Sequence, residues 1–413
     1  MNTTRVCHLF LASSVRPVGA TSFTAALSKL PMKIATIAIL AGLLLCACGN
    51  PASLTQNAVD PATGWVSWSK ETQAVYTGST RIVSDPSVVA DDSGFKMAYT
   101  AIGFDRAAPH AAISLATSDD SLTWTPLATG PNPAVGGSAR RGEVLHGRTD
   151  EWDENLETPF LLKTNNGYLL YYSGYRDGVT PGEPGKGFPA SLGVAVSHDG
   201  INFTRAQPEP VLSPTPGSFD ADAIYSPDIT TYEGGYLMVY AGHCYNNCPG
   251  TPGVRIMGAT SPDGIHWTKI SQPLLSPKAP PEWMRDGVAE PAILLGPDGD
   301  LYLFFTGVRG QEHVIGVARA ATLEKAWDIG PDPIVSPGAG SFDETGDAAP
   351  SVLLENGRVR MWFVGTNRTG QYAIGYAEAP WPLHHSHARK KSTILAASAL
   401  SVQVPEFGAA SAK

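Results

Sequence analysis

The stretch Glu290-Pro291-Ala292-Ile293-Leu294-Leu295, followed by Tyr302-Leu303-Phe304-Phe305-Thr306-Gly307, contains the pattern that decides the fold. A proline opens an apolar run, a glycine-containing turn follows, and an aromatic-rich run ends near a small residue. Two such runs joined by a short turn predict an antiparallel pair of strands. The pattern occurs five times, and its opening prolines lie 73, 68, 64 and 59 residues apart, at Pro86, Pro159, Pro227, Pro291 and Pro350.

A third apolar run follows each of these pairs, and in four units a shorter run with an aromatic residue comes next. Four short strands per unit, repeated along the chain, are typical of a β-propeller. We therefore predict an all-β, five-bladed β-propeller over residues 64–380. The fifth unit has no fourth strand of its own. Residues 64–70 (GWVSWSK) resemble residues 264–269 (GIHWTK), so we expect the N-terminal strand to close the last blade and remove a free edge.

The composition agrees with a turn-rich β-protein. The 413 residues include 43 Gly and 34 Pro, together with 9 Trp, 14 Tyr and 13 Phe. Hydrophobic residues make up 43% and charged residues 16%, which excludes a wholly disordered chain. The formal net charge of -9 argues against a nucleic-acid partner, because phosphate binding needs a basic surface.

An apolar run from Ile34 to Leu45 follows Lys33 near the N-terminus. The run is shorter than the about 20 residues that a transmembrane helix needs, and it is typical of an export signal. It ends in Leu45-Cys46-Ala47-Cys48-Gly49, which resembles the lipobox of bacterial lipoproteins. The resemblance implies cleavage before Cys48 and lipidation of its thiol; a plain secretory signal is the alternative.

We accordingly predict a leader over residues 1–48, with Met32 as an alternative start, a linker over 49–63 and a disordered tail over 381–413. The lipobox resemblance implies a protein anchored by lipid to the outer membrane or cell surface, with the periplasm as the alternative location. The membrane is then a partner through the anchor.

Cys244 and Cys248 are separated by only three residues. In an exported protein such a pair predicts a local disulfide that holds a loop. The adjacent His243 would give a zinc site only three ligands within six residues, so the disulfide is favoured.

The loops that enter the innermost strands of a propeller face one end of its channel, so the residues before the opening prolines are candidates for a site. Directly before the prolines stand Asp85, Thr158, Ser226, Glu290 and Ala349, and Glu157 lies one position further back in its unit. Convergent carboxylates suit glycoside hydrolysis, in which one acid protonates the leaving oxygen and an ionised carboxylate activates water or attacks the sugar. The alternative is that each acid is an ordinary turn residue.

The repeats resemble the five-bladed propellers of glycoside hydrolase family 43 and its relatives in families 32, 62, 68, 117 and 130. Asp85-Pro86 matches the opening Asp-Pro of those families, which implies that Asp85 is the base or the nucleophile. In family 43 the acid Glu lies two residues before a proline in the fourth blade. Here Glu290 lies directly before Pro291 in the fourth blade, and Glu157 has the family's spacing in the second. The acid is therefore Glu290 or Glu157.

The resemblance also implies a third, pKa-modulating carboxylate, and Asp222 is our candidate. Some members of family 43 hold Ca²⁺ in the channel, so calcium is an expectation here, although its ligands are unknown; no cofactor is otherwise required. Sugar-binding candidates of the right chemical type are Arg309, Arg141, His146 and His243.

We predict a glycosidase acting on a polysaccharide or oligosaccharide. The main alternative is a surface lipoprotein that binds glycans without catalysis. A sialidase-like enzyme is a further alternative, because Ser261–Trp267 resembles the Asp box of six-bladed sialidases with one residue fewer between Asp and Trp. A propeller that binds proteins would instead expose an apolar face.

Overall fold

The computed structural model describes residues 59–60, 63–77, 81–103, 110–127, 142–176, 189–275 and 279–385. The chain divides into two units, residues 1–56 and 57–413, and every described residue belongs to the second. The predicted leader with Cys48, the candidate Arg141 and tail residues 386–413 lie outside the described residues. Among the described residues, no helix has the length and apolar character needed to cross a bilayer.

The described residues contain 22 β-strands and one 3₁₀ helix. Two short N-terminal strands, β1 (Ser69–Lys70) and β2 (Tyr76–Thr77), precede the repeats. Blade 1 contains β3 (Arg81–Asp91), β4 (Gly94–Gly103), β5 (His110–Ser118), β6 (Thr125–Pro126) and the added β7 (Glu143–Leu145). Blade 2 contains β8 (Asn155–Thr164), β9 (Gly167–Tyr175), β10 (Ser191–Ser197) and β11 (Thr204–Arg205).

Blade 3 contains β12 (Ala223–Tyr232), β13 (Gly235–Cys244), β14 (Gly253–Ser261) and β15 (Thr268–Ile270). The 3₁₀ helix (Glu282–Met284) leads into blade 4, which contains β16 (Gly287–Leu295), β17 (Leu301–Arg309), β18 (Glu312–Ala320) and β19 (Asp328–Ile329). Blade 5 contains β20 (Gly346–Glu355), β21 (Arg358–Thr366) and β22 (Tyr372–Pro380).

Consecutive strands within each blade pair antiparallel, in the order expected for a propeller. The innermost strands of blades 1 to 5 are β3, β8, β12, β16 and β20. Blade 5 is completed by β1, since Ser69 pairs with Glu378 and Lys70 pairs with Ala377 of β22. The predicted closure by the N-terminal strand is therefore confirmed, as is the five-bladed fold.

The core lies between blades, which explains why the second strands are apolar on both faces. Successive residues of a strand point to opposite faces of the sheet. Tyr171 of β9 therefore packs in a cluster with Tyr240 of blade 3, and its neighbour Tyr172 packs in a cluster with Leu115 of blade 1. Both tyrosines are fully buried.

A buried carboxylate in three blades is held by a cation from the outermost strand. In blade 5, Lys70 Nζ of β1 lies 2.5 Å from Asp343 Oδ2 and 3.4 Å from Asp347 Oδ2. The equivalent pairs are Lys269–Asp220 in blade 3, at 2.5 Å, and Arg205–Asp153 in blade 2, at 2.6 Å. Lys70 thus fastens the strand that closes the ring.

In blades 2 and 5, a glycine near the end of the second strand makes room for the loop that leads into the first strand of the same blade. A Cβ at Gly365 would lie 2.3 Å from the ring of Phe342, which precedes Asp343. Gly174 in blade 2 likewise lies under Trp152 and Asp153.

The sequence that resembles an Asp box forms a turn between the third and fourth strands. Asp263 Oδ1 accepts hydrogen bonds from the amides of Ile265 and His266 at 2.9 and 2.8 Å, and Ser261 Oγ also donates to it. The same turn recurs at Asp120 and Asp199. A repeated turn accounts for this motif, and the described residues form five blades rather than the six of a sialidase.

Ordered packing continues for five residues beyond position 380, which we predicted as the end of the propeller. His384 pairs with Trp65, and Leu383 is buried. The first residues of the predicted tail therefore pack on the strand segment that closes the ring.

Candidate active site

Each innermost strand contains a bulge at its opening proline. The residues directly before the prolines are Asp85, Thr158, Ser226, Glu290 and Ala349, and all five have positive φ angles, between 48° and 53°. The strand register shifts at each of these positions. Left-handed backbone at residues other than glycine is unfavourable by about 1–3 kcal/mol, and bulges often redirect side chains beside active sites.

The five bulges line one pocket on the axis of the propeller, together with their prolines and the residues that follow three of them, Ser87, Phe160 and Asp228. Asp85 of blade 1 and Glu290 of blade 4 are therefore brought together, as the repeat predicts. Their side chains are nearly buried, with 5% and 9% of the residue exposed.

Asp85 is a carboxylate in a mostly dry setting. Burial raises its pKa, and hydrogen-bonding groups of Ser84, Thr100 and Thr158 oppose this rise only in part. Ser84 Oγ donates to Asp85 Oδ2 at 2.9 Å. Oδ1 is buried and has no partner with hydrogen-bond geometry among the described residues. That oxygen can take a hydrogen bond from a water or a sugar hydroxyl.

Glu290 has the protonation behaviour of a general acid. Burial, followed by the charge of Asp85, raises its pKa to about 7. Thr306 Oγ1 donates to Glu290 Oε2 at 2.7 Å, and the amide of Ala349 in the next blade donates to the same oxygen at 3.0 Å. Both bonds therefore use Oε2.

The second strands carry a sequence signal for this site that our sequence analysis missed. In blades 1, 2 and 4, the residue before the opening proline is polar and the second strand carries a serine or threonine beside it. These hydroxyl residues are Thr100 for Asp85, Ser173 for Thr158 and Thr306 for Glu290. Blades 3 and 5 have Ala241 and Val364 there. The hydroxyls bind the bulges; for example, Thr158 Oγ1 lies 2.5 Å from Ser173 Oγ.

Glu157 is buried but does not line the axial pocket. Its Oε1 accepts a hydrogen bond of 2.6 Å from the Tyr175 hydroxyl, and its charge helps to raise the pKa of Tyr225, after burial. These contacts connect Glu157 to Tyr175 and Tyr225 rather than to the axial pocket.

Asp222 binds backbone amides in the loop of the confirmed Cys244–Cys248 disulfide. Its Oδ2 accepts hydrogen bonds from Tyr245 and Asn246 at 2.5 and 3.2 Å. Asp222 is not among the residues that line the axial pocket. Its charge instead acts on His243, whose pKa burial lowers to about 4 while Asp222 opposes the shift.

The three described candidates for sugar binding all lie outside the axial pocket. Arg309 is half-exposed and pairs with Glu312, in a separate depression on blade 4 that Trp283 also lines. His146 provides a backbone carbonyl to Arg205 at 2.7 Å. His243 of β13 does not line the axial pocket, and its ring lies 5.1 Å from that of Tyr225 on the neighbouring strand of blade 3.

Calcium remains a prediction without a set of ligands. Ca²⁺ takes six to eight oxygen ligands, usually with several carboxylates. No group of three or more His, Cys, Asp or Glu side chains in the described part of the chain is arranged to hold a metal ion. No step of the proposed reaction uses a metal.

The pocket therefore joins an ionisable carboxylate with an acid that keeps its proton to about neutral pH. In a coupled pair of this kind the charge of one member holds the proton on the other. The pair can supply a base or nucleophile and a proton donor to one bond.

Searches with this sequence match no family model and no curated protein. Solved structures do match, and a thermostable family-43 glycoside hydrolase aligns with a TM-score of 0.56 at 15% identity, over 78% of this chain and 100% of that one. An endo-arabinase from Bacteroides thetaiotaomicron aligns with a TM-score of 0.52 at 16% identity, over 75% and 97%. A structure from the GH130 family of mannoside phosphorylases, reported to contain glycoside hydrolases that target β-1,2 mannosidic linkages in Candida mannan, aligns with a TM-score of 0.53 at 13% identity, over 79% and 92%. At these identities the likeness shows the fold alone, so this chain shares the fold of these three structures.

Proposed function

We propose that the protein is a glycosidase that cleaves a polysaccharide or oligosaccharide in the axial pocket. The observation that carries the proposal is the pairing of Asp85 with Glu290 in one pocket, where burial and the charge of Asp85 raise the pKa of Glu290 to about 7. An acid with that pKa can protonate a leaving oxygen at neutral pH. The enzymatic nature of several proteins with this fold supports the proposal.

In this proposal Asp85 acts as the base or nucleophile. Its Oδ1 has no hydrogen-bond partner among the described residues, and we assign this oxygen to the contact with the water or the sugar. Glu290 donates its proton to the glycosidic oxygen, and the bonds from Thr306 and Ala349 orient its carboxyl group.

The assignment of Glu290 rather than Glu157 as the acid rests on two contrasts. Glu290 lines the pocket with Asp85, whereas Glu157 does not. A raised pKa is found for Glu290, whereas Glu157 is hydrogen-bonded through Oε1 to the Tyr175 hydroxyl outside that pocket. We propose that Glu157 and His243, which both interact with Tyr225, contact the substrate or position residues that do.

A structural role alone does not explain why Asp85 and Glu290 are acids. Glu290 accepts an amide from the next blade, but Thr158 makes the equivalent contact with a hydroxyl, accepting the Ser226 amide at 3.0 Å. Ala349 occupies the same position in blade 5 without any polar side chain. A buried carboxylate is more costly than a hydroxyl at such a position, which favours a chemical role.

The second candidate function is a non-catalytic glycan-binding propeller. It is favoured by the position of Glu290 directly before its proline, which departs from the family's spacing. A protein-binding propeller is less well supported, because Val59 and Leu122 are the large apolar side chains exposed among the described residues, and they are isolated in the sequence.

We further propose that the protein is exported and anchored by a lipid on Cys48, at the outer membrane or cell surface. The lipobox resemblance of residues 45–49 supports this, as does a disulfide, which is typical of exported proteins. Labelling with a radioactive fatty acid in a bacterial host tests it: wild-type protein should incorporate label, and Cys48→Ala should not.

The activity is tested by turnover of aryl glycosides and polysaccharides by the wild type and by Asp85→Asn, Glu290→Gln and Glu157→Gln. Loss of turnover in the first two variants, by about 10²–10⁴-fold, is the expected result. Turnover that survives Glu290→Gln but not Glu157→Gln would move the acid to blade 2. If no substrate is turned over and all variants still bind glycans, the glycosidase proposal is wrong and the glycan-binding function is favoured.

A further inference from the structure

The side chains that follow the opening prolines form a second set of contacts between blades. Ser87 Oγ of blade 1 accepts the Leu161 amide of blade 2 at 2.8 Å. Ser351 Oγ of blade 5 accepts the Val88 amide of blade 1 at 3.0 Å. In both cases a serine hydroxyl joins its strand to the amide two residues beyond the next blade's proline.

Blade 3 makes the same contact with a carboxyl group. Asp228 Oδ1 accepts the Ile293 amide of blade 4 at 3.1 Å. That amide lies three residues beyond Glu290 on β16, so Asp228 also anchors the strand that carries the acid. A serine would be sufficient for this contact, as blades 1 and 5 demonstrate.

Asp228 is also a member of the axial pocket. It lines the pocket with Asp85 and Glu290 and is 8% exposed. Burial raises the pKa of Asp228 well above its ordinary value, although the amides of Ile293 and Ile229 oppose the rise. The raised pKa favours the protonated carboxyl group, whose O–H can donate a hydrogen bond into the pocket.

We infer that Asp228 is a third functional group of the pocket, which binds the sugar held between Asp85 and Glu290 by donating a hydrogen bond to one of its hydroxyls. The inference rests on the proposed function for its substrate class, a carbohydrate. It assigns Asp228 to substrate binding and specificity, and it leaves proton transfer to Glu290.

The repeat itself supplies the variants that test this inference. Asp228→Ser restores the residue used in blades 1 and 5, so it keeps a contact between blades and removes the carboxyl group from the pocket. Asp228→Asn keeps both an acceptor for the Ile293 amide and a donor for the sugar. Ser351→Ala is the matched control, since it removes the equivalent contact between blades and Ser351 does not line the pocket.

The experiment uses the full chain and measures kcat, KM and thermal midpoint on 4-nitrophenyl α-L-arabinofuranoside, β-D-xyloside and β-D-mannoside. We expect Asp228→Ser to raise KM by about tenfold with no fall in the thermal midpoint, as expected for one lost hydrogen bond to substrate. Asp228→Asn should stay within about threefold of the wild type. Ser351→Ala should lower the thermal midpoint without changing KM.

Unchanged KM in Asp228→Ser would overturn the inference, because the carboxyl group would then serve only the contact between blades. An equal rise in KM in Asp228→Ser and Asp228→Asn would also overturn it, because the ability to donate a hydrogen bond would then not be the property that matters. Titration calorimetry with xylohexaose, arabinohexaose and mannohexaose separates this inference from the proposed hydrolysis. If the wild type binds a glycan without turnover and Asp228→Ser weakens that binding about tenfold, the inference stands and hydrolysis falls. If the wild type neither binds nor cleaves any of the sugars, both are wrong.

Discussion

Asp85 and Glu290 occupy the same bulge position in blades 1 and 4, with φ angles of 51° and 48°, and the charge of Asp85 contributes to raising the pKa of Glu290 to about 7. The five-fold repeat thus brings two residues 205 positions apart in the sequence to equivalent places on one axis. Their chemical difference comes from their surroundings. Asp85 has an unpartnered oxygen, and Glu290 is held by Thr306 and the next blade.

The first prediction concerns the stability of the Glu290→Gln variant. Glu290 has a pKa near 4.5 when exposed and about 7 in the fold, so the folded state holds its proton more tightly. The stabilisation from this proton is complete below about pH 4.5 and is lost as the pH rises to about 7. Glutamine removes this dependence and can still accept from Thr306 and Ala349. We expect the variant to be more stable than the wild type by up to roughly 3 kcal/mol at pH 8, and by much less at pH 5.

Urea unfolding of both proteins at pH 5 and pH 8 measures this difference. Glu157→Gln is the control at the same two pH values, because it changes a buried glutamate outside the axial pocket. A difference between wild type and Glu290→Gln that is the same at both pH values would contradict the raised pKa of Glu290.

The second prediction concerns the hydroxyl of Thr306. This hydroxyl donates to Glu290 Oε2 and lowers the pKa of Glu290. Thr306→Val keeps the shape of the side chain and removes the bond, so the pKa of Glu290 should rise. We expect the alkaline limb of the pH profile of kcat/KM to move to higher pH. A limb that stays in place or moves to lower pH would show that Glu290 does not control it.

The third prediction concerns the lysine that fastens the closing strand. Lys70 Nζ contacts Oδ2 of two buried carboxyl groups, Asp343 and Asp347, and Asp347 Oδ1 has no hydrogen-bond partner among the described residues. Lys70→Met leaves both uncompensated, so we expect a loss of about 3–5 kcal/mol at neutral pH, as for other broken buried ion pairs. The loss should shrink at acid pH, where the carboxylates take up protons.

Lys269→Met is the matched control, because Lys269 meets one carboxylate, Asp220, which also accepts a hydrogen bond from Tyr240. Chemical unfolding should rank Lys70→Met as the more damaging change. Equal losses of unfolding free energy in the two variants would mean that the Lys70 contacts, which hold β1 in blade 5, stabilise the fold no more than the Lys269 contact does.

The fourth prediction concerns the disulfide. The Cys244–Cys248 bond closes a short loop, for which the chain-entropy relation gives a stabilisation of roughly 2 kcal/mol. Replacing both cysteines by serine should lower stability by about that amount and should speed proteolysis within residues 245–252. Proteolysis that is unchanged would show that Asp222, through Tyr245 and Asn246, holds the loop without the disulfide.

Much of the fold could be predicted from the sequence because the repeat is periodic. Five prolines at similar spacing mark the innermost strands, and the likeness of residues 64–70 to 264–269 predicted the closing strand. The pairing of Cys244 with Cys248 followed from their separation. These features depend on local patterns, which a sequence displays directly.

The details of the site depend on features that the local pattern does not encode. Because of the bulge, the residue directly before the proline lines the pocket and the residue two positions before the proline does not. Glu290 is in the first position and Glu157 is in the second. Asp228 was not predicted as a site residue, because it comes after its proline on an apolar strand. Comparison with Ser87 and Ser351 at the same repeat position would have identified it. Asp222 is separated from the pocket by the path of an entry loop, and loop paths do not follow the strand repeat.

The most direct test of the pairing of Asp85 with Glu290 compares two leaving groups in the Glu290→Gln variant. A 2,4-dinitrophenyl glycoside departs without protonation, whereas an unactivated oligosaccharide needs the acid. The account predicts that Glu290→Gln loses about 10²–10⁴-fold in kcat/KM on the oligosaccharide and keeps most of its activity on the dinitrophenyl glycoside, while Asp85→Asn loses both. Equal loss on both substrates in Glu290→Gln, or this pattern appearing in Glu157→Gln instead, would contradict it.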